Sequence, residues 1–382
     1  MAQKLKTDWM LFWTVLGLVS FGLLMLYSAS SVMAQEDPRY HSSWYFVIRQ
    51  VGWAVLAVAA MMTFKKTAYR KWNHPAVAFG AIGVVLLLLA AAYAFGTVHH
   101  RFLRAGPVGI QPSELAKPAL VVFLAFFVTW KRPAINSGRY SLLPAALAVG
   151  FLIFGVVVAD LGTAVVLGAT AAVVFFVAGL EWRYCAVVGI LAFIGLVIFI
   201  AVSPYRLARV VQFCDPQFKI VSMFDRQGRV KAQMEKSLTT RDTGYQSLMA
   251  KIAVGDGGPA GLGLMNGKQK LLYLPEAHTD FIYAVVGEEL GILGAAGLLA
   301  AFGVIFWRGM RATWRVGDDF GRYLALGITV LVVVQGMINM SVVLGLMPTK
   351  GIPLPMISYG GSSLLSTLVL LGILMNVSEH AG

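Results

Sequence analysis

The sequence predicts an all-α polytopic membrane protein, and three observations support this prediction. Of the 382 residues, 58% are hydrophobic and only 13% are charged, whereas soluble domains carry about 25% charged residues. Ten apolar runs are long enough to cross a bilayer as helices, which requires about 20 residues each. The 40 glycines are spread through these runs, as is typical of helices that pack closely in lipid. A soluble, collagen-like or disordered chain is thereby excluded.

The ten predicted spans follow one another between charged breaks and breaks rich in glycine and proline. The first is longer than the apolar segment of a cleavable signal peptide, so we interpret it as an uncleaved span. In chain order, the predicted spans cover residues 9–30, 44–63, 76–96, 112–130, 142–159, 162–180, 184–202, 280–306, 322–346 and 354–377.

The distribution of basic residues predicts that both termini are cytoplasmic. Short cytoplasmic loops collect Lys and Arg. Clusters of these residues precede span one and follow spans two and four, and others follow spans six and eight. All of them fall on the same side of the membrane when ten spans are counted. The short loops on the other side hold only Arg39, Arg101, Arg104 and Lys350.

One large extracytoplasmic loop, residues 203–279, separates spans seven and eight. Residues 245–254 place apolar side chains at helical spacing, which predicts an interfacial helix on the membrane surface. The glycine-rich residues 255–263 lack the spacing of a nucleotide-binding loop, so we interpret them as a flexible turn. The chain is therefore a single membrane domain, with helices 1–7 in residues 1–202 and helices 8–10 in residues 280–382.

The net charge of +13 does not by itself indicate a nucleic-acid partner. The basic excess lies in the cytoplasmic segments and in the large outer loop, where the membrane topology accounts for it. The six histidines and two cysteines show no metal-ligand spacing. A carboxylate-bound Mg²⁺ would leave no such signature.

Charged residues within the apolar spans are the main functional candidates, because each is costly there unless it is paired or faces a water-filled cavity. Glu114 and Lys117 are three residues apart and share a helix face, so a structural ion pair and a functional role stay equally open. Asp160 lies at the turn between spans five and six. It fits the N-cap of span six, and its outer position also fits a substrate cavity.

Asp280 opens span eight on the outer surface. It fits a helix cap, although Thr279 would serve as well, and we favour catalysis or ligand binding. Glu288 and Glu289 lie eight and nine residues further on, which predicts a buried network at mid-bilayer or in the inner half. Between spans nine and ten, residues 347–361 hold three prolines and three glycines. Such irregular backbone requires the cover of protein or a cavity.

Five segments together resemble the SEDS family of shape, elongation, division and sporulation proteins, which includes the FtsW and RodA types. They are LYSASS at residues 26–31, QPSELAK at 111–117, DLGT at 160–163, LPEAHTDFIYAVVGEELG at 274–291 and PTKGIPLPMISYGGSS at 348–363. The resemblance covers nearly the whole chain. ELAK and PTKG favour the FtsW type, while IPLP is at least as similar to the RodA type. The part of the outer loop at residues 217–243 is longer than expected for the family.

The resemblance implies a peptidoglycan glycosyltransferase that polymerises lipid II, an undecaprenyl-pyrophosphate-linked disaccharide, on the outer face of the cytoplasmic membrane. It makes Asp280 the catalytic carboxylate, which we expect to act as general base on the attacking hydroxyl. Cations should stabilise the leaving pyrophosphate. The residues expected to bind substrate are Arg101, Glu114, Lys117, Asp160, Glu276, His278 and Lys350.

The resemblance also implies a partner, a class B penicillin-binding protein that acts as transpeptidase in the division or elongation machinery. A divalent cation, Mg²⁺ or Mn²⁺, could share the stabilisation of the pyrophosphate. Two alternatives stay open. One is a lipid II flippase, because ten spans and a polar cavity also fit a transporter. The other is a non-catalytic scaffold of the division machinery. The position of Asp280, Lys350 and Arg101 near the outer face favours chemistry, since transport requires access from both sides.

Overall fold

The computed structural model describes residues 7–40, 42–96, 101–105, 108–215, 243–271, 274–348 and 351–381. These residues form α-helices and one small antiparallel hairpin, Leu103–Ala105 with Val108–Ile110. The helices are α1 (Trp9–Glu36), α2 (Tyr45–Lys66), α3 (Pro75–Phe95), α4 (Pro112–Lys131), α5 (Leu143–Ala159), α6 (Leu161–Val177), α7 (Trp182–Ala201), α8 (Pro204–Cys214), α9 (Thr243–Gly257), α10 (Ile282–Arg315), α11 (Asp319–Val343) and α12 (Gly361–His380).

The all-α membrane architecture is confirmed. Among the described residues, nine helices are long and apolar enough to cross a membrane, and α6 is a shorter apolar helix of 17 residues. Asn136, which precedes α5, donates to the carbonyl of Gly179 at 3.3 Å and accepts from the N–H of Glu181 at 2.9 Å, both after α6. Therefore α5 and α6 connect the same two ends of the bundle. The count of ten spans stays a prediction.

Several helices begin where a side chain satisfies a free backbone N–H. Asp8, Asp160 and Asp318 accept hydrogen bonds of 3.1, 2.9 and 2.9 Å from the first turns of α1, α6 and α11. The first four N–H groups of a helix have no partner within it, so such caps fix the point at which the helix starts. Pro112, the first residue of α4, has no N–H group that requires a partner, so it also favours the start of a helix at that position.

Helices α4, α11 and α12 form the centre of the bundle and are buried along most of their length. Small residues let neighbouring helices approach closely: Gly372 of α12 faces the backbone of Met61, and Gly309 of α10 faces the side chain of Thr329. Helix α7 lies at the periphery, and none of its side chains is buried. Among the described helices, α4, α11 and α12 are thus surrounded by protein, whereas α7 has little protein around it.

The predicted span 280–306 corresponds to α10, which is long and apolar enough to cross a membrane but is broken at Gly291. This residue has φ 65° and ψ −162°, a conformation that favours glycine. The break leaves backbone groups without helical partners, and residues 258–263 supply the missing hydrogen bonds. The N–H groups of Leu262 and Gly263 donate to the carbonyls of Glu288 and Glu289, both at 3.0 Å, and the N–H of residue 292 donates to the carbonyl of residue 258 at 3.0 Å.

The interpretation of the glycine-rich stretch 255–263 as a flexible turn is therefore wrong. Its backbone lies directly against α10, and a Cβ atom at Gly257 or Gly261 would collide with the carbonyl groups of residues 287 and 289. In a membrane protein, non-helical backbone has to be satisfied by other protein groups. Because these glycines allow close contact, the backbone of residues 258–263 and the broken part of α10 supply hydrogen-bond partners to each other.

The buried network predicted for Glu288 and Glu289 is present, because both side chains are fully buried and hydrogen-bonded. Their depth in the bilayer stays a prediction. Arg308 of α10 pairs with Asp8 at 2.7 Å, where α1 begins. Glu289 accepts a hydrogen bond from Ser28 of α1 at 2.6 Å. Twenty residues of helix separate Asp8 from Ser28, so these two contacts between α1 and α10 are about 30 Å apart along the helix axis.

A helix is present where the outer loop was predicted to form one, and α9 extends beyond the predicted 245–254 at both ends. Ala250 and Ala253 are buried, and Val254 contacts Gly287 of α10. One face of α9 therefore packs on residues 282–290. Its location on the membrane surface stays a prediction.

Candidate active site

Asp280 lies in a short non-helical segment whose backbone is fixed to the proline-rich break before α12. The amide of Asn339 donates to the carbonyls of Asp280 and Ile352, at 2.8 and 2.7 Å. The hydroxyl of Ser358 donates to the carbonyl of Thr279 at 2.5 Å. Residues 351–358 thus cover the backbone on both sides of Asp280, while the residue as a whole is only partly buried.

The Asp280 carboxylate faces a glycine. A Cβ atom at Gly351 would collide with its Oδ2 atom. The neighbouring Ile352 contacts Gly162 in the first turn of α6, so the α6 end that carries Asp160 meets the same segment. Residues 351 and 352 therefore join the elements that carry Asp160 and Asp280. Lys350 lies outside the described residues, and its role stays a prediction.

Glu114 and Lys117 form a buried ion pair of 2.7 Å, with side chains only 2% and 1% exposed. The hydroxyl of Ser366 on α12 also donates to Glu114 at 3.2 Å. The pair therefore links α4 to α12, which agrees with its structural interpretation. A role of Glu114 and Lys117 toward substrate stays a prediction.

Asp160 is the N-cap that the sequence allowed. It is buried, and its two oxygens accept from the N–H of Gly162 at 2.9 Å and the hydroxyl of Thr163 at 2.7 Å. Arg101 is partly exposed and directly precedes the outer hairpin. The hairpin's second strand packs on α12. For both residues, contact with a substrate stays a prediction.

His278 and Glu276 differ in their surroundings. His278 is buried against the ring of Phe46, with centroids 4.8 Å apart, and its carbonyl accepts from the N–H of Tyr359 at 3.0 Å. Burial lowers the pKa of the His278 imidazole below its usual range, and the nearby Glu276 carboxylate opposes this change. Glu276 is exposed and accepts from the Thr279 hydroxyl at 2.8 Å. It therefore shapes the turn that precedes Asp280.

The sequence analysis missed the amides and the arginine that surround this segment. Gln50 of α2 accepts from the N–H of Gly360 at 3.3 Å, and Gln335 of α11 donates to the carbonyl of Pro353 at 2.8 Å. With Asn339, they hold the break before α12. Arg49 lies within a predicted span, so the same argument about charges in apolar runs would have identified it.

The buried network predicted for Glu288 and Glu289 also contains Ser28 and Lys270, which the sequence analysis did not identify. These four residues are here called the outer clamp. The Lys270 ammonium donates to Glu289 at 2.6 Å and to the Ser28 hydroxyl at 2.8 Å. Glu288 accepts from the N–H groups of residues 268 and 269, at 2.6 and 3.0 Å. The clamp holds the outer loop and α1 at the end of the 282–290 segment opposite Asp280.

Among the described residues, no group of three or more His, Cys, Asp or Glu side chains is arranged to hold a metal ion. Asp160 is already engaged as a helix cap, and Glu114 is paired with Lys117. The donors described here thus do not form a ready site for Mg²⁺ or Mn²⁺. A divalent cation stays a prediction.

The chain is similar to known proteins over nearly its full length. The family model of FtsW, RodA and SpoVE, described as cell cycle protein, matches residues 8–382. The probable peptidoglycan glycosyltransferase FtsW of Geobacter metallireducens is 38% identical over 379 residues, covering 98% of this chain and 95% of the relative. The stage V sporulation protein E of Bacillus subtilis is 36% identical over 384 residues, covering 99% of each.

Solved structures share the fold. A chain of a peptidoglycan synthase complex that coordinates polymerization and crosslinking has a TM-score of 0.75 and 28% identity, covering 99% of both chains. The rod shape determining protein RodA of Thermus thermophilus has a TM-score of 0.67 and 26% identity, covering 98% of this chain and 97% of the other. The chain therefore belongs to the FtsW, RodA and SpoVE family, as a multi-pass protein of the inner membrane.

Proposed function

We propose that this chain is a peptidoglycan glycosyltransferase that polymerises lipid II on the outer face of the membrane, with Asp280 as general base. The relatives named as probable peptidoglycan glycosyltransferases support the activity. One observation supports the role of Asp280: its backbone is fixed by Asn339 and flanked by the Ser358 contact, while the residue as a whole is only partly buried. A catalytic base has to be both positioned and reachable by substrate.

The proposed step is a direct displacement at the anomeric carbon. The 4-hydroxyl of GlcNAc on one lipid II attacks the anomeric MurNAc carbon of a second lipid-linked chain. The hydroxyl proton passes to the Asp280 carboxylate as the new glycosidic bond forms. The bond to the pyrophosphate breaks at the same carbon, and undecaprenyl pyrophosphate leaves with the electron pair. Displacement from the opposite side inverts that carbon.

Charge develops on the pyrophosphate during this step, so nearby cations stabilise the transition state. We assign this role to Arg101, Lys117 and Lys350. In this proposal, Glu114 holds Lys117 in place, and Asp160 lines the same cavity. Glu276 and His278 flank the base and orient it or the sugar. A glycan polymerase of this kind works on a substrate whose long polyprenyl tail stays in lipid, which explains why its body consists of membrane helices.

The proposed partner is a class B penicillin-binding protein that crosslinks the new strands as transpeptidase. The similarity to a chain of a peptidoglycan synthase complex supports this partnership. Relatives of the FtsW, SpoVE and RodA types all resemble the chain, so a role in division and a role in elongation both stay open.

The test is polymerisation of purified lipid II by the chain reconstituted with its cognate transpeptidase. Wild type is compared with Asp280→Asn, which keeps the size of the side chain and removes its basicity. The matched control is Asp256→Asn, at an exposed carboxylate on the outer end of α9. We expect strands from wild type and from the control, and a loss of about 100-fold or more with Asp280→Asn.

The other outcomes identify the alternatives. Equal strand synthesis by Asp280→Asn, with contaminating polymerases inhibited, would keep the enzyme and remove Asp280 as its base. No strands from any variant, with intact complexes, would favour a scaffold or a flippase. A lipid II translocation assay in vesicles separates those two.

A further inference from the structure

A cluster of aromatic rings, here called the aromatic shelf, lies where α1 ends and α2 begins. Its members are Tyr27, Tyr40, Trp44, Tyr45 and Phe46. Trp44 stacks on Tyr27 with ring centroids 4.4 Å apart and remains 52% exposed. Tyr40 contacts Tyr45 and Phe46 at 4.6 and 4.9 Å. Tyr27, Tyr40 and Tyr45 all pack against the buried cluster that contains Phe46, so the accessible indole and the buried ring belong to adjoining groups of rings.

The shelf is continuous with the segment that carries Asp280. Phe46 contacts the rings of His278 at 4.8 Å and Tyr359 at 5.1 Å. His278 and Asp280 are two residues apart, so their Cα atoms are separated by about 7 Å at most. A disaccharide is long enough to bridge from the shelf to that carboxylate.

Polar groups line the edge of the shelf. The Arg49 guanidinium lies over the Tyr45 ring at 4.7 Å from its centroid. It also lies beside the Tyr359 hydroxyl. A phenol is able to donate a hydrogen bond. An arginine beside the Tyr45 ring and a phenol beside the Phe46 ring offer donors to hydroxyl and carboxylate oxygens.

This combination fits a pyranose ring. The C–H groups on one face of a sugar pack well on an aromatic face, whose quadrupole is negative, while the hydroxyl groups at the sugar's edge require polar partners. Anchoring of the spans at the lipid headgroups would also expose Trp and Tyr. Anchoring does not require that the rings continue through Phe46 to His278, nor that an arginine and a phenol meet at their edge.

We propose that the aromatic shelf is a saccharide subsite, in which Trp44 stacks on one pyranose ring of the glycan and Arg49 and Tyr359 bind polar groups of the same glycan. This inference rests on the proposed function, since it assigns a subsite to the same reaction. The sugar belongs either to the incoming lipid II or to the growing strand. Both present the same ring chemistry, and the test separates them.

The first experiment measures binding without chemistry. The probe is a soluble, lipid-free GlcNAc–MurNAc tetrasaccharide, added to the purified protein and followed by saturation-transfer NMR. Trp44→Phe keeps an aromatic face, whereas Trp44→Leu keeps an apolar side chain without one. Phe95→Leu is the matched control, at an 84% exposed ring at the outer end of α3. We expect binding by wild type, Trp44→Phe and the control, and a loss of about threefold to tenfold with Trp44→Leu.

The second experiment measures polymerisation by the same four proteins in complex with the transpeptidase. We expect Trp44→Leu to raise KM by about threefold to tenfold, with kcat within about twofold of wild type. One arm starts from lipid II alone and the other adds preformed short strands. A higher KM for lipid II assigns the subsite to the monomer, and a higher KM for strands assigns it to the polymer.

Equal behaviour of Trp44→Leu and Trp44→Phe in both experiments would overturn the subsite and leave membrane anchoring. A loss of saccharide binding in the Phe95→Leu control as large as that in Trp44→Leu would also overturn the subsite. Saccharide binding that depends on Trp44 in a protein that makes no strands would instead contradict the proposed function and keep the subsite. Thermal unfolding of each variant excludes loss of fold as the cause.

Discussion

Asp280 is positioned against Gly351, and this contact offers a direct test of the site at single-residue resolution. A Cβ atom at Gly351 would meet the Asp280 carboxylate, whereas the backbone of Gly351 is in an ordinary conformation that alanine adopts. We therefore expect Gly351→Ala to displace the carboxylate and lower lipid II polymerisation by about 10-fold to 100-fold, since small misplacements of catalytic groups are costly.

The matched control for that prediction is Gly83→Ala in α3, where an added Cβ meets nothing within 4 Å. It should polymerise lipid II like wild type. Activity of Gly351→Ala equal to that of Gly83→Ala would show that the carboxylate tolerates displacement, which a general base does not.

His278 gives the site a pH-dependent stability. Burial lowers the pKa of its imidazole below the ordinary 6.5 in the folded protein. As the pH falls below about 6.5, the unfolded chain binds a proton that the folded protein does not yet bind, so the free energy of unfolding decreases. We expect the thermal midpoint in detergent to fall between pH 7 and pH 5.5, and to fall less in His278→Phe. A parallel pH dependence of the two proteins would show that other groups are responsible.

At the scale of elements, the 282–290 segment of α10 is a separate unit. Asp280 lies just before it, and the outer clamp holds its other end. Lys270→Met would leave the Glu289 carboxylate, which is fully buried, without its cation. We expect this variant to lose about 3 to 5 kcal/mol of unfolding free energy, because an unpaired buried charge is strongly unfavourable.

The double variant Lys270→Met, Glu289→Gln tests whether the ion pair is the cause. It removes both charges while the amide keeps hydrogen bonding to Ser28, so it should be more stable than Lys270→Met alone. Thermal unfolding of the three proteins measures the difference. A double variant less stable than the single one would show that Glu289 contributes through contacts other than Lys270.

At the scale of the whole molecule, the end of the bundle where α1 begins is held together by the segments at residues 7–8 and 378–379. Asp8 pairs with Arg308 at 2.7 Å and accepts from Ser378 at 2.9 Å, and Thr7 donates to Glu379 at 2.9 Å. Asp8→Asn keeps the oxygen that caps α1 and removes the charge. We expect a loss of about 1 to 3 kcal/mol in unfolding free energy, since hydrogen bonds to charged groups contribute that much.

Asp37→Asn is the control for this prediction, because Asp37 pairs with the exposed Arg39 on the outer surface at 2.7 Å. Exposed pairs contribute about 0 to 1 kcal/mol. Equal thermal midpoints of the two variants would show that the Asp8 contact is no stronger than a surface pair.

The pattern of the sequence was sufficient for features that depend on composition and local spacing. Apolar runs of about 20 residues require spanning helices, since each backbone group in lipid needs a partner within the protein. The N-cap at Asp160 follows from its place directly before the apolar run of α6. The pairing of Glu114 with Lys117 follows from their spacing of three residues.

Only the tertiary structure decided how distant segments satisfy one another. The break at Gly291 gives no apolar or polar signal of its own, because it exists only where residues 258–263 supply its hydrogen bonds. The network around Glu288 and Glu289 likewise depends on contacts of Glu289 with Ser28 of α1, 261 residues away, and with Lys270, 19 residues away. Local sequence thus determined which segments enter the membrane, and long-range pairing of backbone and charge determined where the carboxylates lie.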